Sequence, residues 1–484
     1  MTIEGIDVEK TLLDIETALK QEASLPPALN ALIVVLITLV KLLVNRIGLN
    51  SRNSSKPPST DFDRPKGTDP ADPKDTEQND ATNKPGGQKG HVGKTLEKVD
   101  NPDETLVLNV DRSTLPEGQY TEAGFESRQV FEIYISRKVT EYQAQVLLNE
   151  RGERFVAPFP EGITKAAQYG QSIKAHAVYM SQYQLIPYAR IQDYFAEQLQ
   201  IPVSQGSIFN FNKVAYGLLE TFSEITKKNL IDSYRMNVDE TGINIGGIRH
   251  WLHCASNDSW TDFFPHEKRG GKAMDARGII PEFGGVLCHD HWKPYYRDEH
   301  LSHSLCNAHH SRELIRAFEQ DGQQWAQAMD ELLKTINNAV HDAGGSLDNA
   351  NANDYRQQYK YLLECAELEC PAPPVEEKEK GKPGRQKRSK SRNLLERLIN
   401  YEADVLRFMT DAEVPFTNNQ GENDIRMTKV HQKISGCFRS MEGAEIFCRI
   451  RGYISSCQKH GVSSSEAMEL LFAGKLPEFA SLPP

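Results

Sequence analysis

The chain has 484 residues, 38% hydrophobic and 25% charged, which is too long for a single core and too apolar for a wholly disordered chain, so two to four domains are expected. Its 56 Lys and Arg against 67 Asp and Glu leave a net charge of −11, which as a single total speaks against a nucleic-acid binder and for a metabolic enzyme. The eight cysteines form no CxxC pair and none precedes Cys254, which excludes a secreted disulfide framework and points to a reducing cytoplasm.

In chain order, the first segment (1–50) carries Glu4, Asp7, Glu9, Asp14 and Glu16, the wrong charge for a signal or transit peptide. The apolar run 28–44 is broken by Asn30, Thr38 and Lys41 and is too short for a bilayer core, so no membrane span is expected. Leu29, Leu32, Leu36, Leu39 and Leu43 step by three and four, placing one leucine stripe along a helix. It serves either a coiled coil between copies or packing on its own domain.

Residues 51–98 are rich in Ser, Pro, Lys, Asp and Gly and cannot bury a core. They read as a flexible basic linker that either trails along phosphates or is merely solvated. Alternation around Val130 to Ile135 predicts a small β-rich module over 99–165. Within 166–228 the period turns helical. Ile191, Tyr194, Phe195 and Leu199 fall in one helix, Ile208, Phe211, Ala215 and Leu218 in the next, and Ser204 or Ser207 is placed to cap the second. This is either a helical hairpin of a plain core or a helix-turn-helix with Gln205, Asn210, Asn212 or Lys213 facing DNA.

Strands then precede mixed helices and strands over 229–320, an α/β order. A helical insertion follows over 321–400, with an exposed basic loop containing Lys387 and Arg388 that either touches DNA or spaces the elements. The core resumes over 401–462, and 463–484 reads as a C-terminal tail.

Asp239 ends one apolar strand and Asp290 another, so the two carboxylates can converge on a hard divalent cation such as Mg²⁺. Glu422 in TNNQGENDIRM offers a third, with Arg426 one helical turn on; the competing reading is a capping box, Asn419 at the N-cap with Glu422 closing it. From 426 to 459, Arg426, Lys429, Lys433, Arg439, Arg449, Arg451 and Lys459 face only Glu442 and Glu445, a local positive field inside an acidic protein. Nine of the 14 histidines lie between His250 and His310, and Cys306 stands three before His309, but the ligand spacing of a zinc site is incomplete. His309 and Arg312 either approach DNA phosphate or order the acids. Trp292 either stacks a displaced base or packs in the core.

The string PFTNNQGENDIRMTKVHQKISGCFRS (415–440), with NVDETG (237–242), HDHWKPY (289–295) and LCNAHHSREL (305–314), strongly resembles the insertion sequence 66 family of bacterial transposases. NSRNSSKPPSTD (50–61) and GGQKGH (86–91) resemble its N-terminal region. The resemblance implies an α/β, ribonuclease-H-like core with a DDE triad, and the matching positions are Asp239, Asp290 and Glu422. It further implies DNA-end cleavage and strand transfer with two Mg²⁺ (or Mn²⁺) ions. The implied partners are the transposon terminal repeats, target DNA, further copies of the chain on that DNA, and accessory transposition proteins. Arg426, Lys429, Lys433 and Arg439 are then expected on phosphates. Many members carry a cysteine-paired zinc module after the linker, whereas 95–165 here has no Cys, so no zinc is expected there. The alternatives are a DNA-binding regulator that keeps the fold without the chemistry, a nuclease without strand transfer, and a zinc hydrolase built on the histidines.

Overall fold

The computed structural model describes residues 2–3, 6–21, 26–47, 49–50, 52–54, 96–373 and 388–481. Most of the linker, and Lys387 with most of the basic loop, lie outside the described residues. The N-terminal part comprises β1 (Thr2–Ile3), β2 (Ile6–Asp7), α1 (Val8–Gln21) and α2 (Pro27–Ile47). Lys41 of α2 pairs with Glu16 of α1 at 2.6 Å, and Leu12 and Ile37 are buried. The leucine stripe stays exposed, from 45% at Leu29 to 66% at Leu32, so among the described residues it packs on nothing that buries it. No helix of the described residues is long and apolar enough to cross a membrane.

Between 99 and 165 the only strands are the hairpin β3 (Val146–Leu148) and β4 (Arg154–Val156). The expected β-rich module is therefore reduced to one hairpin. Val130, Ile133 and Tyr134 are nearly fully exposed. Alternation predicts a strand only where a second layer buries the apolar face, and this segment has none.

The helical unit follows as α3 (Gln171–Val178), α4 (Tyr188–Leu199), α5 (Gln205–Leu218) and α6 (Glu220–Ile231). Ser204 caps α5, accepting from the Ser207 N–H at 3.1 Å. Gln205 and Asn210 of α5 are exposed. Asn212 is not: it is fully buried, bonded to Ser181, Gln182 and Tyr188, and Lys213 pairs with Glu442. Leu218 is exposed, and the neighbouring Leu219 fills the core position instead.

A five-stranded sheet forms the centre: β5 (Arg235–Ile245), β6 (Ile248–Ser256), β7 (Thr261–His266), then α7 (Gly271–Arg277), β8 (Val286–His289) and β9 (Ser302–Leu305). Its order is β7-β6-β5-β8-β9, antiparallel from β7 to β5 and parallel from β5 to β9. The two parallel steps are made by crossovers, as parallel neighbours require.

Helices α8 (Asn307–Asp321), α9 (Gln324–Asp342), α10 (Asn349–Glu369), α11 (Lys390–Asn400) and α12 (Glu402–Val405) share a core with Val286, Cys288 and Leu305 of the sheet. The insertion is thus packed onto the sheet. The chain returns as α13 (Asn419–Ser435), α14 (Met441–Lys459), α15 (Ser464–Phe472) and α16 (Glu478–Ser481). The expected C-terminal tail is instead core: Ala467, Met468, Leu471, Phe472 and Ala480 are buried with α3 to α6, α14 and the sheet. At Gly452 of α14 an added Cβ would lie 2.9 Å from the Thr261 carbonyl, so the missing side chain is what lets that helix sit against β7.

Candidate active site

The acids gather where the parallel pairing of β5 with β8 ends; Asp239 does not end its strand, because β5 runs on to Ile245 paired with β6. β5 and β8 pair up to Asn237 beside Cys288; Asp239 and Asp290 each follow two residues on, near enough for the Asp290 charge to act on Asp239. Ligands in open α/β sheets bind at this carboxyl end of the strands. The Trp292 N–H donates to Asp290 Oδ1 at 3.1 Å, and the Glu240 N–H to Asp239 Oδ1 at 2.8 Å. His291 follows Asp290 in the left-handed region (φ 72°), a conformation costly for a side chain with a Cβ. Its ring is held against Tyr401, with centroids 4.5 Å apart.

Glu422 arrives from α13, whose first turn is tied to the sheet by Asn418. That side chain is buried, donates to the Val238 carbonyl at 2.9 Å and accepts from Asn237 Nδ2 at 2.7 Å. Its backbone N–H meets Cys306 Sγ at 3.1 Å. The N-cap is therefore Asn418, without a side-chain cap bond, and the capping box between Asn419 and Glu422 does not form. The Glu422 carboxylate faces α8 instead: Oε1 lies 3.5 Å from His309 Nδ1, 3.9 Å from Arg312 and 3.9 Å from Cys306 Sγ.

Three carboxylates in one partly buried place repel one another. Burial, then the neighbouring Glu240, Asp290 and Glu422 charges, push Asp239 up to about 8. Glu240 is also raised, by burial first, while Tyr295 (2.5 Å) and Arg269 hydrogen-bond it and oppose the rise. An all-oxygen donor set under such mutual repulsion fits a hard divalent cation. Cys306, His309 and Glu422 also place one ligand atom each within 4.8 Å of one another, the only such group of three among the described residues.

The other histidines are not collected into a ligand set. His289 and His303 hydrogen-bond each other at 3.1 Å, packed on Tyr295 and Tyr296, and burial lowers His289 well below its usual range and His303 to about 4. His310 is buried against Asn307 at 2.9 Å.

The expected positive field is smaller than its seven bases. Arg451 is buried, Arg449 lies over Tyr216 and donates to its carbonyl, and Lys459 is locked to Asp424, Thr261 and Asn257. Arg426, Lys429, Lys433 and Arg439 stay exposed, Lys429 donating to the Gly242 carbonyl at 3.2 Å. Arg388 pairs with Glu396 at the start of α11. Trp292 presents no free ring for a base: Arg269 lies over it at 4.1 Å, and Tyr295 packs on it edge to face at 5.2 Å. Sequence reasoning passed over Asn418, Arg269 and Tyr295. Asn418 lies inside the quoted TNN string, but no local pattern ties Arg269 to Glu240, 29 residues away.

The family model described as "Transposase IS66 family" matches residues 166–446, spanning all three acids, and a family of unknown function (DUF6444) matches residues 13–97. No curated protein matches the chain. With more than half of its length matched by that model, the chain belongs to the IS66 family of transposases.

Proposed function

We propose that the chain cuts DNA at transposon ends and joins them to target DNA, with Asp239, Asp290 and Glu422 holding two Mg²⁺ or Mn²⁺ ions. The observation that carries this reading is the convergence of three carboxylates from β5, the end of β8 and the first turn of α13, in a place where burial first, and then the neighbouring acids, raise Asp239 to about 8. A sheet with three antiparallel strands continued by two parallel ones supports calling the core ribonuclease-H-like. When bound, the ions would activate the attacking water or 3′-OH and stabilise the leaving 3′ oxygen.

The chain's own groups do the positioning. The Trp292 and Glu240 amides orient Asp290 and Asp239, and His309 and Arg312 steady Glu422. Arg426, Lys429, Lys433 and Arg439 contact phosphates. The α4–α5 pair, with Gln205 and Asn210 outward, and the linker grip the terminal repeats. Further copies of the chain assemble on that DNA through the exposed leucine stripe, together with accessory transposition proteins.

The test is a cleavage and strand-transfer assay on DNA carrying the ends of its own locus. Glu422→Ala is expected to bring cleavage down to the metal-free level with DNA binding retained; substantial remaining cleavage refutes the assignment. Cleavage without joined products would leave a nuclease. A second reading is favoured by the Cys306–His309–Glu422 group, whose donors suit Zn²⁺. Under the carboxylate reading Cys306→Ser retains Mg²⁺-dependent cleavage; under the zinc reading it loses activity that only zinc restores.

A further inference from the structure

Beside the acids, four side chains from three separate stretches of the chain make one continuous file of contacts. The Arg249 guanidinium lies over the Trp251 ring at 4.7 Å, Arg269 lies over the same ring at 4.7 Å, and Arg269 also lies over Trp292 at 4.1 Å. The file begins at the site itself, since the Trp292 N–H holds Asp290 and Arg269 pairs with Glu240, the neighbour of Asp239. It runs outward along β6, where Arg249 and Trp251 point to one face as residues two apart.

Gly242 of the DETG string makes room for its outer end. A Cβ there would lie 3.1 Å from two Arg249 nitrogens, and the Gly242 carbonyl accepts from Lys429. Both arginines are exposed. Arg269 spends its Nε and one terminal nitrogen on Glu240, and Arg249 donates to no acceptor among the described residues. A guanidinium stacked on an indole keeps its in-plane N–H groups free at the edge, the geometry that matches phosphate oxygens. Two cations with spare N–H groups, fixed on rings beside an acid cluster, match a polyanion that enters the cluster, and they match it by its backbone, because the rings are already covered.

We propose that the Arg249–Trp251–Arg269–Trp292 file is a backbone rail that grips the phosphates flanking the cleaved bond, so that the DNA strand leaves the site along β6. The proposal rests on the transposase reading above and adds to it the path of the strand and the residues that set it. Its sequence-independent grip also separates it from recognition of the terminal repeats.

The experiment measures binding of the full chain to a fluorescein-labelled DNA duplex from the ends of its own locus, in EDTA, across a salt series. Removing one phosphate-binding cation should lower the slope of log K against log salt by about 0.9. Arg249→Gln is expected to reduce the slope by that amount and Arg249→Gln with Arg269→Gln by about twice that. Lys360→Gln, an exposed charge on α10, controls for net charge and should leave the slope unchanged. Trp251→Leu keeps both charges but removes their support, so affinity should fall several-fold with the slope nearly kept. If the wild type binds the duplex in EDTA and cuts it in a parallel reaction with Mg²⁺, while the arginine variants keep its slope and affinity, the rail is wrong and the transposase reading stands. If the wild type neither binds end DNA in EDTA nor cuts it with Mg²⁺, the reading falls and the rail falls with it.

Discussion

Replacing Asn418 by Ala removes the clamp that sets Glu422 against the sheet. The side chain is 2% exposed and makes two buried hydrogen bonds, to the Val238 carbonyl at 2.9 Å and from Asn237 Nδ2 at 2.7 Å. Each partner left unsatisfied in the interior costs about 1–3 kcal/mol, so a total loss of about 2–6 kcal/mol is expected. Urea denaturation followed by circular dichroism should show a lower midpoint with an unchanged slope. The bond between the two asparagines is isolated by a double-mutant cycle with Asn237→Ala, for which a coupling of about 1–2 kcal/mol is expected. Because Glu422 stands one turn beyond Asn418, cleavage should also fall by about 10²-fold, the usual consequence of a misplacement near 1 Å, with DNA affinity kept. A loss below about 0.5 kcal/mol, or effects that simply add, would refute the clamp.

Other outcomes follow from the same geometry. Asp239 is raised from 3.8 to about 8, so between those values the native state holds a proton that the unfolded chain releases. In EDTA, stability should therefore fall as pH rises from about 4 to 8, by up to about 1.4 kcal/mol per pH unit, and level off above. Asp239→Asn should flatten this dependence in thermal melts, and added Mg²⁺ should stabilise the wild type more than the variant; an equal pH profile for both proteins argues against the crowded-acid account. Arg392 is buried and paired with Glu367 (2.7 Å), Glu396 (3.1 Å) and the Cys370 carbonyl (2.9 Å). Arg392→Ala should cost about 1.5–3 kcal/mol, because Glu367 is partly solvated and Glu396 keeps Arg388, and expose α10 and α11 to protease or hydrogen exchange before the sheet; uniform protection across the chain would contradict it.

Much of the chemistry was legible along the chain because it is local. The two aspartates end apolar runs, Glu422 lies in a distinctive string, and the α4–Ser204–α5 order follows from period and cap. These features depend on residues a few positions apart, which is what periodicity and capping rules report. The β-rich module and the tail were misjudged for the complementary reason. Whether the alternating residues 130–135 pair, or whether Leu471 and Phe472 are buried, depends on what other layer lies beside them.

By itself the sequence determined the family, the helical unit and the separation of acidic from basic segments, and it singled out the three acids proposed above to hold the metals. Tertiary structure alone decided which of those charges are available. It buried Arg451, locked Lys459 to Asp424, turned Asn212 inward and set Trp292 under Arg269. It also brought Asn418 to Asn237 across 181 positions. Charge and polarity are properties of single residues, but their use depends on desolvation and on partners that only the folded chain supplies.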